Sequence, residues 1–400
     1  MTRSLALTAV VAVLLACSTG GGAIPSEVTD ASSGATPSGL SSSAPRTSDA
    51  PATTLGVDGA PVPPGRLLFM RQGAAGVERY FTISTDGTDE RALFEREGCM
   101  CADWSADGTH ILSIGATGLG TFSLLTIKPD GSDEVVISPP IETLNLFVGA
   151  SSADGRLLAF AGFDESDPSH NGIYIASPDL AALRMVTPVP VGAVGVEPYG
   201  VTPDGRHIIF FAEVGSQEFV THTGDLYVVN ADGTGLRKLN TRGLSVAFVG
   251  PSPSMASLSP DGRHVAFAAY AGNPKAGRSA VYVIDVAEGR AERVTGYMAG
   301  IFNVAWSPAG DWIAFTQQVT GRTSLVRPDG TDETDLSAPD ENVGLPSWSP
   351  EGSYMVVRRG GDGANDLWIM DLDGQFIGQV TREPSNYGVF SWAPRSGNTP

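Results

Sequence analysis

Ser257-Leu258-Ser259-Pro260-Asp261-Gly262-Arg263-His264-Val265-Ala266-Phe267-Ala268-Ala269-Tyr270 couples a turn to a strand. In the turn, Pro260 presets φ, the Asp261 carboxylate bonds back to the backbone, and Gly262 takes a positive φ. Residues 263–270 and, after a polar loop, 280–286 are rich in β-branched and aromatic side chains, so both read as strands. Neither run alternates cleanly between apolar and polar. Both faces of this sheet are therefore covered, as in stacked blades.

The same turn recurs. Copies stand at Ser105-Ala106-Asp107-Gly108, Ser152-Ala153-Asp154-Gly155, Thr202-Pro203-Asp204-Gly205, Ser307-Pro308-Ala309-Gly310 and Ser349-Pro350-Glu351-Gly352. A period of roughly 40 to 50 residues with four strands per unit predicts a β-propeller. Four residues before each glycine sits Trp104, Ser151, Val201, Leu258, Trp306 or Trp348, mostly the large apolar residues that a core position requires. At the C-terminus, Phe390-Ser391-Trp392-Ala393-Pro394 supplies an inner strand with nothing after it, while residues 63–70 look like the second half of a repeat. Pairing the two ends closes the ring and removes the edges that an open array would leave. The expectation is an all-β, seven-bladed propeller of four-stranded blades, closed by the C-terminal strand on the N-terminal blade.

The Trp-Ser-Pro-(Asp/Glu)-Gly turn, with strands ending in Asp-Leu-Tyr-Val-Val-Asn-Ala-Asp-Gly at 225–233 and Asp-Leu-Trp-Ile-Met-Asp-Leu-Asp-Gly at 366–374, resembles the TolB-type propeller repeat. The resemblance covers residues 64 to 396 and implies fold far more than function, since such propellers also occur in bare lipoproteins and ahead of hydrolase domains. The α/β domain that precedes the propeller in TolB has no counterpart here. TolB's roles in its envelope complex therefore do not follow.

Residues 1–17 carry one basic residue, an apolar run from Leu5 to Ala16, and Cys17. That run is too short to span a bilayer and reads as an export signal. Leu14-Leu15-Ala16-Cys17 resembles the bacterial lipobox, which implies a diacylated Cys17 carrying palmitate-type chains; a soluble secreted protein cleaved nearby is the alternative. From 18 to 63 the chain is dominated by Ser, Thr, Ala, Gly and Pro and reads as a disordered tether. Residues 64–400 form the propeller. The net charge of −19 disfavours nucleic acid or an anionic surface as a partner.

Candidate chemistry is sparse. Cys99 and Cys101, exported with the chain, form a local disulfide, stay as free thiols or join a metal site, in that order of preference. His110, His207 and His264 share one repeat position and are structural. Acids at the outer Asp-Gly turns suit hairpins better than a calcium loop, which needs ligands at alternate positions over about twelve residues. His170 and His222 lie in long insertions beside Asp164, and the inner strands carry Asp103, Asn145, Glu197, Tyr199, Asn303 and Tyr387 at ends expected to face the long loops. These nine residues form the candidate partner-binding face. No nucleophile elbow, P-loop or His-Glu-x-x-His is present. The sequence thus predicts a monomeric, non-catalytic binding or scaffold module of the cell envelope, needing no cofactor or metal, whose partner is a protein, peptide or glycan. The alternative is an envelope lyase, hydrolase or dehydrogenase with its site in the channel.

Overall fold

A computed structural model describes residues 62–73, 77–97, 102–116, 122–214, 222–248, 256–270, 272, 277–317, 319–337, 343–361, 364–383 and 387–394. Cys17, Cys99, Cys101 and residues 18–61 of the expected tether lie outside them. Among the described residues all regular structure is β except the short 3-10 turn Pro168–His170. The turns explain why. In each copy the glycine N–H donates to the carbonyl of the leading Ser or Thr, and the glycine φ lies between 67° and 82°. The Ser or Thr hydroxyl donates to the turn Asp at 2.6 Å in Ser105, Ser152, Thr202 and Ser259. It also accepts the N–H of the residue that starts the next strand, as in His264 to Ser259 at 2.9 Å. Each turn is locally self-sufficient, so it forms wherever its four residues occur.

Five separate four-stranded antiparallel sheets result, such as Asn145–Ser151, Leu158–Phe163, Gly172–Ala176 and Arg184–Pro188 from inside to outside. The expectation of seven such blades is corrected to five. The remaining repeats are joined in one ten-stranded sheet, because Ser245–Phe248 pairs with His222–Asn230 on one side and with His264–Tyr270 on the other. Strands lengthened by the long loops present free edges there, and the bridging strand satisfies them.

Closure is as expected from the two ends. Tyr387–Trp392 pairs antiparallel with Arg66–Gln72, placing Trp392 opposite Leu67 and Phe390 opposite Phe69. Apolar clusters fill the spaces between neighbouring sheets: Leu67, Phe69, Tyr387 and Trp392 pack with Val356, Leu367 and Ile369 on one side of the seam. On the other side Leu68, Met70 and Tyr80 pack with Trp104, Ile111 and Leu125. Innermost strands contact one another around most of the ring, and Asn145–Ser151 meets Ile111–Ala116 and Phe122–Ile127 of the sheet before it. Five of them, including Gly195–Val201, Ile301–Trp306 and Tyr387–Trp392, carry a register shift against the second strand of the same sheet. A bulge at this level turns side chains toward the axis.

Candidate functional site

The innermost strands enclose a cavity of about 470 Å³. Of the nine candidate face residues only Asp103, Tyr199 and Asn303 line it. Asp103 is not at the long-loop end, where sequence reading put it. Strand Ala102–Trp104 has only three residues and runs directly into the Ser105 turn, which places Asp103 at the turn-side end of the channel.

The Asp103 side chain is exposed to the channel, and its Oδ1 accepts two hydrogen bonds: from the Trp104 amide at 2.8 Å and from the Ser391 hydroxyl at 2.7 Å. Enclosure by the surrounding wall pushes its carboxyl above the ordinary value, and those two donors pull it back. Because the side chain meets channel water, the wall does not strip it of solvent as a dry core would. Oδ1 also ties the closing strand to its neighbour, a link that the Trp104 indole repeats by donating to the Ser391 carbonyl at 3.3 Å. Trp348 makes the equivalent bond to the Ala305 carbonyl at 3.1 Å.

Asn303 sits at a bulge with φ 57° and donates to the Pro346 carbonyl at 3.4 Å across to the next inner strand. Tyr199, also at a bulge, stacks on Phe211, and its hydroxyl has no partner among the described residues. Glu197 lies two residues earlier, 8% exposed, and its Oε1 has no hydrogen-bond partner among the described residues. Burial, and secondarily Glu213, pushes the Glu197 carboxyl well above the usual range. Burial and Glu197 do the same to the Tyr199 phenol.

The other candidates are elsewhere. Asp164 is fully buried under its own loop, where it accepts from Thr143 and Ser166 at 2.6 Å and binds His170 Nδ1 at 2.8 Å. Burial would raise its carboxyl, but these donors outweigh it and hold it far below the usual range; the Asp164 bond in turn raises His170. This pair knots the insertion. Asn145 begins its strand outside the cavity lining, with Nδ2 at 3.5 Å from the Thr143 carbonyl. Tyr387 is buried at the seam, its hydroxyl donating to the Glu383 carbonyl at 2.7 Å, beside the Arg71 guanidinium. His222 opens its strand opposite Phe248, and its side chain lies outside the described residues. The outer-turn acids serve the hairpins: Asp86 Oδ1 accepts both the Thr88 amide and its hydroxyl, and Asp232 treats Thr234 in the same way.

Sequence reading missed Ser391, Ser257 and Ser347. They occupy the repeat position of Asp103, where the other copies have Ala150, Gly200 and Ala305. Aligning that position across the copies would have exposed both the ring and the single charged residue in it.

No protein-family model and no curated protein matches the chain. Similar solved structures include an oligogalacturonate lyase from Vibrio parahaemolyticus, 14% identical, covering 80% of this chain and 88% of that one with a TM-score of 0.57. A puromycin hydrolase is 20% identical over 73% of this chain and 47% of that one, with a TM-score of 0.52. TolB from Acinetobacter baumannii is 17% identical over 84% of each chain, with a TM-score of 0.47. The chain has an all-β propeller fold. At these identities the likeness is one of fold.

Proposed function

We propose that this protein is an extracytoplasmic binding module, held to a membrane through a lipidated Cys17, which engages a protein or peptide on the face of the ring that carries the long loops. The observation that supports it most is an apolar group on that face. Val191 is fully exposed, Val194 is 67% exposed and Val214 is 42% exposed. Val191 and Val194 belong to the connection after Arg184–Pro188, while Val214 follows His207–Glu213, and the Val194 amide donates to the Glu213 carbonyl. Exposed apolar side chains gathered from two loops mark a protein-binding surface better than a sugar-binding one. The insertions that the sequence places at 163–172, 213–224 and 270–279 each connect two neighbouring antiparallel strands, the kind of position where function in repeat scaffolds collects.

The catalytic alternative has less behind it. Among the described residues lining the channel, Asp103 alone carries formal charge, and acid–base chemistry needs a paired donor and acceptor in reach. The test is crosslinking and pull-down from envelope extracts with wild type and Val191→Asp/Val194→Asp. The variant should keep its melting temperature and lose its captured partner by more than about ten-fold, the effect of removing one interfacial anchor. Equal capture by both proteins would remove this face from consideration.

A further inference from the structure

We infer that the turn-side end of the channel binds an organic ammonium ion, with Asp103 Oδ2 as its acceptor. Asp103 stands at the repeat position where the other copies place Ala150, Gly200, Ser257, Ala305, Ser347 and Ser391. One carboxylate thus projects into a ring of side chains no larger than serine, so the space beside it is not filled. Both hydrogen bonds to this carboxylate converge on Oδ1, from the Trp104 amide and the Ser391 hydroxyl. They fix the plane of the group and leave Oδ2 without a partner among the described residues.

A carboxylate that served only to staple the closing strand would need Oδ1 alone. Asp103 is an exposed residue of the channel lining, and its oriented second oxygen is the part a ligand would use. The charge balance selects the ligand. Among the described lining residues there is no Lys, Arg or His to neutralise Asp103, and the chain as a whole carries −19. An anion is therefore repelled. A divalent metal is poorly served as well, because calcium takes six to eight oxygen ligands and here a single carboxylate converges. An ammonium N–H donating to Oδ2 forms a charge-assisted hydrogen bond. The channel-facing positions around it, Ala150, Ser257, Ala305 and Ser347, are small and leave room for the carbon skeleton attached to the ammonium. A volume of about 470 Å³ admits a molecule of small-metabolite size.

This site lies at the opposite end of the channel from the long loops, so it and the docking surface proposed above can fail separately. Benzylammonium, benzyl alcohol and benzoate share one skeleton and differ in charge, and titration of each into the full chain by calorimetry decides the matter. Benzylammonium should bind saturably, at least about ten-fold more tightly than benzyl alcohol, the preference that one charge-assisted hydrogen bond confers. Benzoate should not bind. In Asp103→Asn the preference for the ammonium over the alcohol should vanish. Absence of saturable benzylammonium binding, an alcohol or benzoate that binds equally well, or a preference surviving in Asp103→Asn overturns the inference. The ranking of the three probes on the wild-type protein stands whether or not that variant folds.

Discussion

The turn side and the inner strands treat carboxylates in opposite ways. In Asp107, Asp154 and Asp204, the neighbouring Ser or Thr hydroxyl is the first cause that holds the carboxyl below its ordinary value, joined by a backbone amide two residues on. In Asp261 the same donors outweigh partial burial. Glu197, on an inner strand, has an oxygen with no donor among the described residues and is pushed up by burial. The turns are repeated and satisfied. The inner strands are individual and not fully satisfied, and in a repeat protein that is where a function is free to differ from copy to copy.

The largest expected effect is on the seam between these regions. Deleting residues 387–400 removes the partner of Arg66–Gln72 and takes Tyr387, Phe390 and Trp392 out of an apolar cluster. Loss of one buried aromatic costs about 3–5 kcal/mol and a whole domain has roughly 5–15 kcal/mol to lose, so the truncated chain should not fold cooperatively. A truncated protein melting at the wild-type temperature by circular dichroism would show that the ring does not depend on its closing strand.

Next in size comes Glu197→Gln. A group whose carboxyl is raised in the folded state stabilises most below its ordinary value of about 4.3 and loses that contribution as pH climbs through the folded value. The wild type should therefore weaken as pH rises from acid to alkaline, while the variant, which has no proton to lose at this position, should not. Expected is a melting-temperature difference in favour of the variant that is near zero at pH 4 and grows toward pH 8. A constant offset across that range would mean that Glu197 is not buried as a neutral acid.

What the sequence made legible follows the same division. The turns could be read because their chemistry is contained in four residues, and closure because each end lacks what the other has. The merging of repeats into a ten-stranded sheet could not, since it depends on the backbone of Ser245–Phe248 meeting two strand edges at once. Asp103 was picked out but assigned to the wrong end, because nothing in the chain says that its strand is three residues long. Asp164 and His170 were expected on the partner-binding face. Thr143, 21 residues earlier, helps to hold Asp164 inside the loop, a contact that only tertiary structure reveals.

The smallest effect belongs to a single turn. Asp261 Oδ1 accepts from the Ser259 hydroxyl at 2.6 Å and from the Arg263 amide at 3.0 Å. Asn at this position keeps the shape and the amide bond and gives up the charge, so Asp261→Asn should cost about 0.5–1 kcal/mol at pH 7, the lower end applying because the turn faces solvent. A carboxyl lowered in the folded state contributes above its ordinary value of about 3.9, and the contribution fades as pH falls through the folded value. The difference between the two proteins should therefore shrink in urea unfolding at pH 3. If it is the same at pH 3 as at pH 7, the charge of Asp261 contributes nothing and the turn rests on its glycine and its serine alone.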